Sequence, residues 1–452
     1  MKDDTLESQK IEIAKWLLNP DKQQKLPDEW NQLKERLKKE GLEKIFHEIE
    51  LPLAPILEEM EKIGIKVDLE ILERLSKKMA KELDALVKII YKKAGAVFNL
   101  NSPKQLSEIL FEKLKIDTAG VPKTKTGIRS TDAAALEKIK NHPIVDLILQ
   151  YRELFKIRST YVEPLKKLAG LDAKHRIHTQ FLQTGTVTGR LASQNPNLQN
   201  IPILSKWGTE LRKAFVAESG YTLASFDYSQ IELRVLASVA GDPKMIEAFQ
   251  NDLDIHILTA SQVFNVDTKE VSKDQRRFAK TLNFGIIYGM GPDAFARNTG
   301  LTREEAENFI SEYFNDFLEV KRWQEKIIDK TRRLGYVENL NGRKRWLPEI
   351  ISMNQRIARE AERAAINMPI QGLAADIIKL AMIKIARKLK EKNWWNDKTR
   401  LLLSIHDELL FEISNDILKE AIALIKNEME SAYKLAIPLK VEAAYGENWA
   451  EL

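Results

Sequence analysis

Apolar residues recur three and four apart through most of the first 170 positions, which predicts helices there. Short alternating runs appear only later. IEIAKWLLNP (11–20) is the clear apolar run of the first 46 residues, and LKERLKKEGLEKIF (33–46) reads as a helix broken near Gly41. IELPLAPILEEMEKIGIKVD (49–68) keeps helical spacing, and Ile71 to Lys93 forms a long amphipathic helix studded with lysines. Ser102 and Pro103 suit the cap and first residue of another helix. HRIHTQFLQTGTVTGRL (175–191) then alternates in part and carries β-branched residues, as antiparallel strands do. YTLASF (221–226) reads as a buried strand ending at Asp227, followed by the helical IELRVLASVA (231–240). Thr302 with Glu305 forms a capping box. TRRLGYVENLNGRKRWLPEI (331–350) is hairpin-like, and Arg356 to Leu389 is a long helix expected to be interrupted around Pro369. LLLSIHDELLFEI (401–413) has two apolar arms around His406, Asp407 and Glu408, a hairpin whose turn holds acids.

Composition narrows this picture without deciding it. The 452 residues suffice for two or three domains, and 44% hydrophobic content makes wholesale disorder unexpected. Lys and Arg total 71 against 66 Asp and Glu, a net charge of +5 that is too small to prove a polyanionic partner. There is no cysteine, so disulfides and thiolate metal sites are excluded. No long apolar run suggests a membrane span, and MKDDTLESQK lacks the apolar core of a signal peptide. A cytoplasmic protein is the expectation.

The chemistry concentrates in DQRRFAKTLNFGIIY (274–288). Arg276, Lys280, Phe284 and Tyr288 sit four apart, so on a helix they form one stripe that drifts by about 40° per step. Phe278, Leu282 and Ile286 give the opposite side to bury. Two cations followed by two rings fit a nucleoside triphosphate, phosphates against charge and base against ring; a plain amphipathic surface helix fits the spacing equally well. Asp227 has a similar ambiguity. A carboxylate leaving a buried strand either caps the next helix or binds a cation. For the acids at 407 and 408, an exposed turn is the ordinary reading.

The string R-x3-K-x3-F-G-x2-Y-G, carried by Arg276, Lys280, Phe284, Gly285, Tyr288 and Gly289, closely resembles the nucleotide-binding helix of family A DNA polymerases. DYSQIELR (227–234), TGRLASQNPNLQNIP (188–202), ERAAINMPIQGLAADIIK (362–379) and His406-Asp407-Glu408 resemble other motifs of the same family, in the same order. The resemblance covers residues 47–452. It implies an α+β right-hand polymerase fold, with an antiparallel-sheet palm and mostly helical thumb and fingers. The expected divisions are a short N-terminal helical segment over 1–46 (a possible remnant of an exonuclease-like domain), a thumb over 47–170, palm over 171–255 and 335–452, and fingers over 256–334.

The resemblance also implies roles. Asp227 and Asp407, with the carbonyl of Tyr228, would bind two Mg²⁺ ions, with Mn²⁺ a possible substitute. Lys280 would join them in catalysis, and Arg276, Lys280, Phe284, Tyr288, Glu232, Gln230 and His256 would bind the incoming nucleotide. Taken alone, His256 fits a capping or partly buried histidine equally well. Glu232 with Tyr288 would fill the space a ribose 2′-hydroxyl needs. Arg190, Arg363, Asn367, Gln371, His406 and Glu408 would contact primer-template DNA. The implied activity is dNTP addition to a primer 3′-hydroxyl by a monomer in the bacterial cytoplasm or nucleoid, in repair or gap filling. No proofreading or 5′ nuclease domain is expected within this chain. Competing readings are an RNA polymerase, an RNA-copying polymerase and a DNA-binding relative without catalysis. Glu232 and DYSQIE favour deoxynucleotides, and intact Asp227, Lys280 and Asp407 favour catalysis.

Overall fold

The computed structural model describes residues 2–21, 25–203 and 205–452, with side chains from Glu7 onward. The chain separates into two compact units: Met1–Ile63, Thr179–Gln199 and Gly220–Tyr445 form one, and Gly64–His178, Asn200–Ser219 and Gly446–Leu452 the other.

The second unit is mostly helical. Its longest helix, Leu69–Ala94, starts where the Asp68 side chain accepts the Ile71 N–H and ends at left-handed Gly95. Leu72, Leu75, Met79, Leu83, Leu86 and Ile90 make its buried stripe, while Lys77, Lys78, Lys81, Lys88, Lys92 and Lys93 are all exposed. Ser102 and Pro103 begin the helix Pro103–Ser107 as expected. Trp449, 1% exposed, meets Phe215 edge-on at 5.1 Å and carries the Arg212 guanidinium on its ring.

The first unit is built on a four-stranded sheet. Its strands are β1 (Tyr221–Tyr228), β2 (Thr399–Ile405), β3 (Glu408–Ser414) and β4 (Val441–Gly446), in the order β4-β1-β3-β2. β1 runs antiparallel to β3 with Tyr221 opposite Ser414 and Asp227 opposite Glu408. β2 and β3 form the expected hairpin, Ile405 opposite Glu408, with a register shift between Leu401 and Leu403. His406 at its tip has φ +52°, an uncommon conformation for a residue with a β-carbon. The sheet residues Leu223, Phe226, Leu409, Leu410 and Phe411 are fully buried.

Four helices carry half of the candidate residues: α1 (Ile231–Ala240), α2 (Ile255–Phe264), α3 (Lys273–Ile287) and α4 (Gln355–Glu391). Ser272 and Gln275 close a capping box at the start of α3, and Thr302 with Glu305 closes another on the helix Arg303–Asp316. The interruption expected at Pro369 is absent: α4 runs unbroken for 37 residues. Proline forfeits one intrahelical hydrogen bond, but Ala365 to Lys379 is buried almost throughout, and packing outweighs that loss. The same helix corrects the expectation that no segment is apolar enough to span a membrane. It passes by length and composition, with 83% of its apolar window buried inside the protein, as a core helix is.

Residues of the N-terminal segment also join this unit. The helices Lys2–Leu18 and Trp30–Lys39 contribute Ile13, Trp16, Leu17, Leu33 and Leu37 to one apolar cluster with Phe46. The hairpin Tyr336–Glu338 with Lys344–Trp346 is tied to that segment by charge. Lys344 pairs with Glu40 at 3.1 Å and Arg345 with Asp21 at 3.1 Å. Arg343 is buried and pairs with Glu50 and Asp376, and Lys379 meets Glu50 at 2.8 Å. Gln183 donates to Glu50 at 2.7 Å, and Asn339 to Asp376 at 2.8 Å. Burial alone would raise the Glu50 carboxyl, yet Lys379 and Arg343 hold it below its ordinary value. The four ionised groups are charge-balanced, so removing one strands the others. Glu50→Ala is expected to lower unfolding free energy by about 3–5 kcal/mol, read by denaturant titration; a loss below about 1 kcal/mol would mean that the network relaxes around the gap.

Candidate active site

The site grows from the ends of β1 and β3. Asp227 lies one residue from the end of β1, and Asp407 occupies the β2–β3 turn. The Tyr228 N–H donates to the Asp407 carbonyl at 3.1 Å, fixing the turn against β1. Partial desolvation, then the charges of Asp407 and Glu442, push the Asp227 carboxyl up to about 6. Asp227 keeps a face open to solvent, which tempers the first of these causes. Asp407 is also raised, by burial, against the opposing charges of Arg190 and His406. Its Oδ1 is buried without a hydrogen-bond partner, and the Arg190 guanidinium is 3.9 Å away. Asp227 does not cap α1. That place belongs to Gln230, which has φ +54° and no capping bond from its side chain. Its buried Oε1 is also unpartnered.

Glu232, on the first turn of α1, is 3% exposed and collects three donors. Arg190 donates at 2.5 Å and the Tyr288 hydroxyl at 3.1 Å, and Gln371 also bonds to it. Burial raises its carboxyl nonetheless, with Arg190 opposing and Asp407 reinforcing. Arg190 therefore stands between Glu232 and Asp407 and neutralises part of both.

α3 supplies the cation and ring stripe. Arg276 is held by Asp254, its Nε at 2.9 Å from Oδ2, and Asp254 also accepts the His256 and Ile257 N–H groups at the start of α2. Burial would raise Asp254, but the Arg276 bond and the two backbone donors keep it below the ordinary carboxylate range. Lys280 is exposed and has no ion-pair partner among the described residues. Phe284 packs on His256 with ring centroids 5.8 Å apart, and Tyr288 is 38% exposed beyond it. His256 is 2% exposed, with Nδ1 2.9 Å from the Asn283 amide.

On α4, Arg363, Asn367 and Gln371 share a face that runs from solvent to interior. Arg363 is exposed beside Gly289, Asn367 is half-buried with an unpartnered Oδ1, and Gln371 is buried against Glu232 and Tyr288. His406 is exposed at the hairpin tip and Glu408 half-buried opposite Asp227. The structure thus gathers Asp227, Asp407, Arg190, Glu232, Tyr288 and Gln371, with Arg276, His256 and Phe284 as a second group. Lys280, Arg363 and His406 stand at the surface.

Three residues escaped the sequence reading. Asp254 had a signal, an acid just before an apolar helical run. Asn283 had none, because its partner His256 lies on another helix. Glu442 reaches Asp227 only because β4 lies beside β1.

The chain matches the model of DNA polymerase family A over residues 69–451. It belongs to that family. It is 46% identical over 414 residues to the thermostable DNA polymerase I of Thermus thermophilus, covering 91% of this chain and 49% of that protein. With DNA polymerase I of Bacillus subtilis it shares 48% identity over 407 residues, covering 90% of this chain and 46% of that one. The chain therefore spans about half the length of the curated relatives it matches. Among solved structures, the POL domain of Pol1 from M. smegmatis, in complex with DNA primer-template and dNTP, superposes with a TM-score of 0.91 at 36% identity. That match covers 98% of this chain and 82% of the other. The α+β polymerase fold expected from the motifs is the fold observed.

The burial of His256 gives a pH dependence. Desolvation, with smaller contributions from Arg276 and Lys280 against Asp254, lowers its imidazole to about 4. Unfolded, it takes up a proton near its ordinary value of about 6.5. Between those values the unfolded chain binds more protons, so stability falls as pH drops through that window. The contribution is on the order of 3 kcal/mol at most. Melting temperatures of wild type and His256→Gln between pH 7 and pH 4 are expected to converge as pH falls; parallel curves would contradict the neutral buried imidazole.

Proposed function

We propose that this chain carries out template-directed DNA synthesis, joining a nucleotide from a dNTP to a primer 3′-hydroxyl and releasing pyrophosphate. The observation that carries this reading is the meeting of Asp227 and Asp407 at neighbouring strand ends, with Arg190 reaching from Asp407 to the Glu232–Tyr288 pair. The family membership and the primer-template and dNTP bound to the M. smegmatis relative support it. On this reading residues 47–170 supply a thumb, 171–255 and 335–452 a palm, and 256–334 fingers.

Two raised carboxyls and an unpartnered Asp407 Oδ1 fit a divalent cation. Asp227, Asp407 and the Tyr228 carbonyl would hold it, Mg²⁺ by preference with Mn²⁺ as a substitute. When bound, a pair of such ions supplies activation of the 3′-hydroxyl and neutralisation of the leaving pyrophosphate. The chain's own groups do the rest. Arg276 exchanges Asp254 for phosphate oxygens, and Lys280 brings a second cation and a proton for pyrophosphate. Phe284 and Tyr288 offer ring faces to the base, and His256 with Asn283 holds Phe284 in place. Gln230, at the turn into α1, would bind the same nucleotide through its unpartnered Oε1. Glu232, bonded to Tyr288, closes the space beside the sugar and excludes a 2′-hydroxyl. Arg190, Arg363, Asn367, Gln371, His406 and Glu408 serve the primer-template, Arg190 by testing minor-groove acceptors that correct pairs share.

Primer extension tests the reading. A 5′-labelled DNA primer on a DNA template should extend to full length with dNTPs and Mg²⁺, and not after chelation. A ladder with rNTPs alone would make it an RNA polymerase, and a shifted primer–template band without extension would leave a binding protein. Glu232→Ala should raise ribonucleotide insertion relative to dNTP by at least about tenfold. An unchanged ratio in single-nucleotide kinetics would remove Glu232 from the sugar gate.

A further inference from the structure

Arg343 has no role in the proposed phosphoryl transfer, yet it is 2% exposed and bound into the charge network beside the site. Its Nε donates to Asp376 at 2.9 Å, and its second nitrogen reaches Glu50 and Asp376. The remaining nitrogen, NH1, is buried with no hydrogen-bond partner. That is an unusual cost for a guanidinium with five donors. The reason lies in what covers it. Gly189 lies against this side of the group: a β-carbon there would fall 2.9 Å from Arg343 Cζ and Nε and 3.1 Å from NH1. Gly189 has φ +89°, a conformation open to glycine at little cost.

Gly189 immediately precedes Arg190, whose guanidinium reaches Glu232 and approaches Asp407. The segment is pinned on either side of the contact. Thr186 Oγ1 donates to the Arg190 carbonyl at 2.7 Å. The Thr188 carbonyl lies 3.3 Å from where a β-carbon on Gly372 would stand. Gln199 donates to the Leu191 carbonyl at 3.3 Å and to the Ser404 carbonyl of β2 at 2.8 Å.

We infer that Arg343 is a positioning residue for the polymerase site: its planar guanidinium, oriented by Glu50 and Asp376, is the surface on which Gly189 rests, and it sets where Arg190 begins. The inference rests on the polymerase reading. Lysine cannot take its place, because a compact ammonium keeps the charge but lacks the rigid plane and the fork that orients it. Misplacement of Arg190 by a fraction of its reach would cost turnover, since small displacements of an oriented group weigh heavily on rate.

A double-mutant cycle tests this. Arg343→Lys and Gly189→Ala, each made alone and in an Arg190→Ala background, are compared by single-nucleotide extension, with thermal melts and primer-template binding run alongside. Each alone is expected to lower kcat on the order of 10- to 100-fold, with KM for dNTP and primer-template affinity within about twofold. In the Arg190→Ala background neither should lower kcat further, because the group they position is gone. Losses that multiply in the double variants, or single variants with wild-type kcat, would overturn the inference. Should Arg343→Lys fail to fold, the Gly189→Ala cycle decides alone, since it leaves every buried charge in place. Multiplying losses with normal wild-type turnover remove only this inference, whereas a wild-type protein that extends no primer removes the polymerase reading with it.

Discussion

Pairing of β1 with β3 is the constraint on which the site depends. It sets Asp227 opposite Glu408 and brings the 407 turn against the exit of β1. Both strands are buried along consecutive residues, 223–226 and 409–413, so a slip in their pairing would reseat every one of these side chains and carry Asp227 away from Glu408 and the 407 turn. The apolar core therefore enforces the register, and the register places the acids. Held together in this way, both carboxyls bind protons more readily than free ones, Asp227 through partial burial and the charge of Asp407, and Asp407 through its own burial. They stay there because the hydrophobic residues along the same strands leave the backbone no alternative.

Around that constraint the protein handles buried charge in two ways. Glu50, Arg343, Asp376 and Lys379 form a balanced set with amide donors completing it. Such a set is costly to break and gains little over an apolar core of equal volume. Its value lies in direction, because a guanidinium fixed by two carboxylates presents one plane in one orientation. At the site itself the balance is incomplete. Arg190 is shared between Glu232 and Asp407, and Asp407 Oδ1, Gln230 Oε1 and Asn367 Oδ1 lack protein partners. Unfulfilled polar atoms next to a cleft suit a site that exchanges ligands, since a bound group can supply what the fold withholds.

Much of this was legible in the residues. The strand before Asp227, the acid-bearing hairpin, the Thr302–Glu305 capping box and the four-residue stripe on α3 all follow from local patterns whose physics is local. The unbroken helix through Pro369 was not, because packing along α4 decides it and the sequence around the proline does not reveal the neighbours. Arg343, Lys344 and Arg345 lie on the hairpin-like segment that the sequence shows, and each is matched by an acid in the first 50 residues or on α4. Pairings across some 300 positions leave no mark in a single sequence. Glu232, by contrast, was singled out by its motif, and the structure adds the three donors that hold it.

The state of Arg276 shows how the two kinds of charge connect. Its salt bridge to Asp254 occupies the cation, while Lys280, one turn on, stays exposed. Asp254 is itself anchored by the N-terminus of α2, so the bridge joins α2 to α3 at the end where phosphates would arrive. A polyphosphate carries more charge than one carboxylate and would draw Arg276 away from Asp254. Asp254 would keep its two backbone donors, so the start of α2 need not unravel when the arginine leaves. A cation parked on a carboxylate that has other partners can be exchanged at low cost, and on the proposed reading the same carboxylate would keep Arg276 near the phosphate site between turnovers.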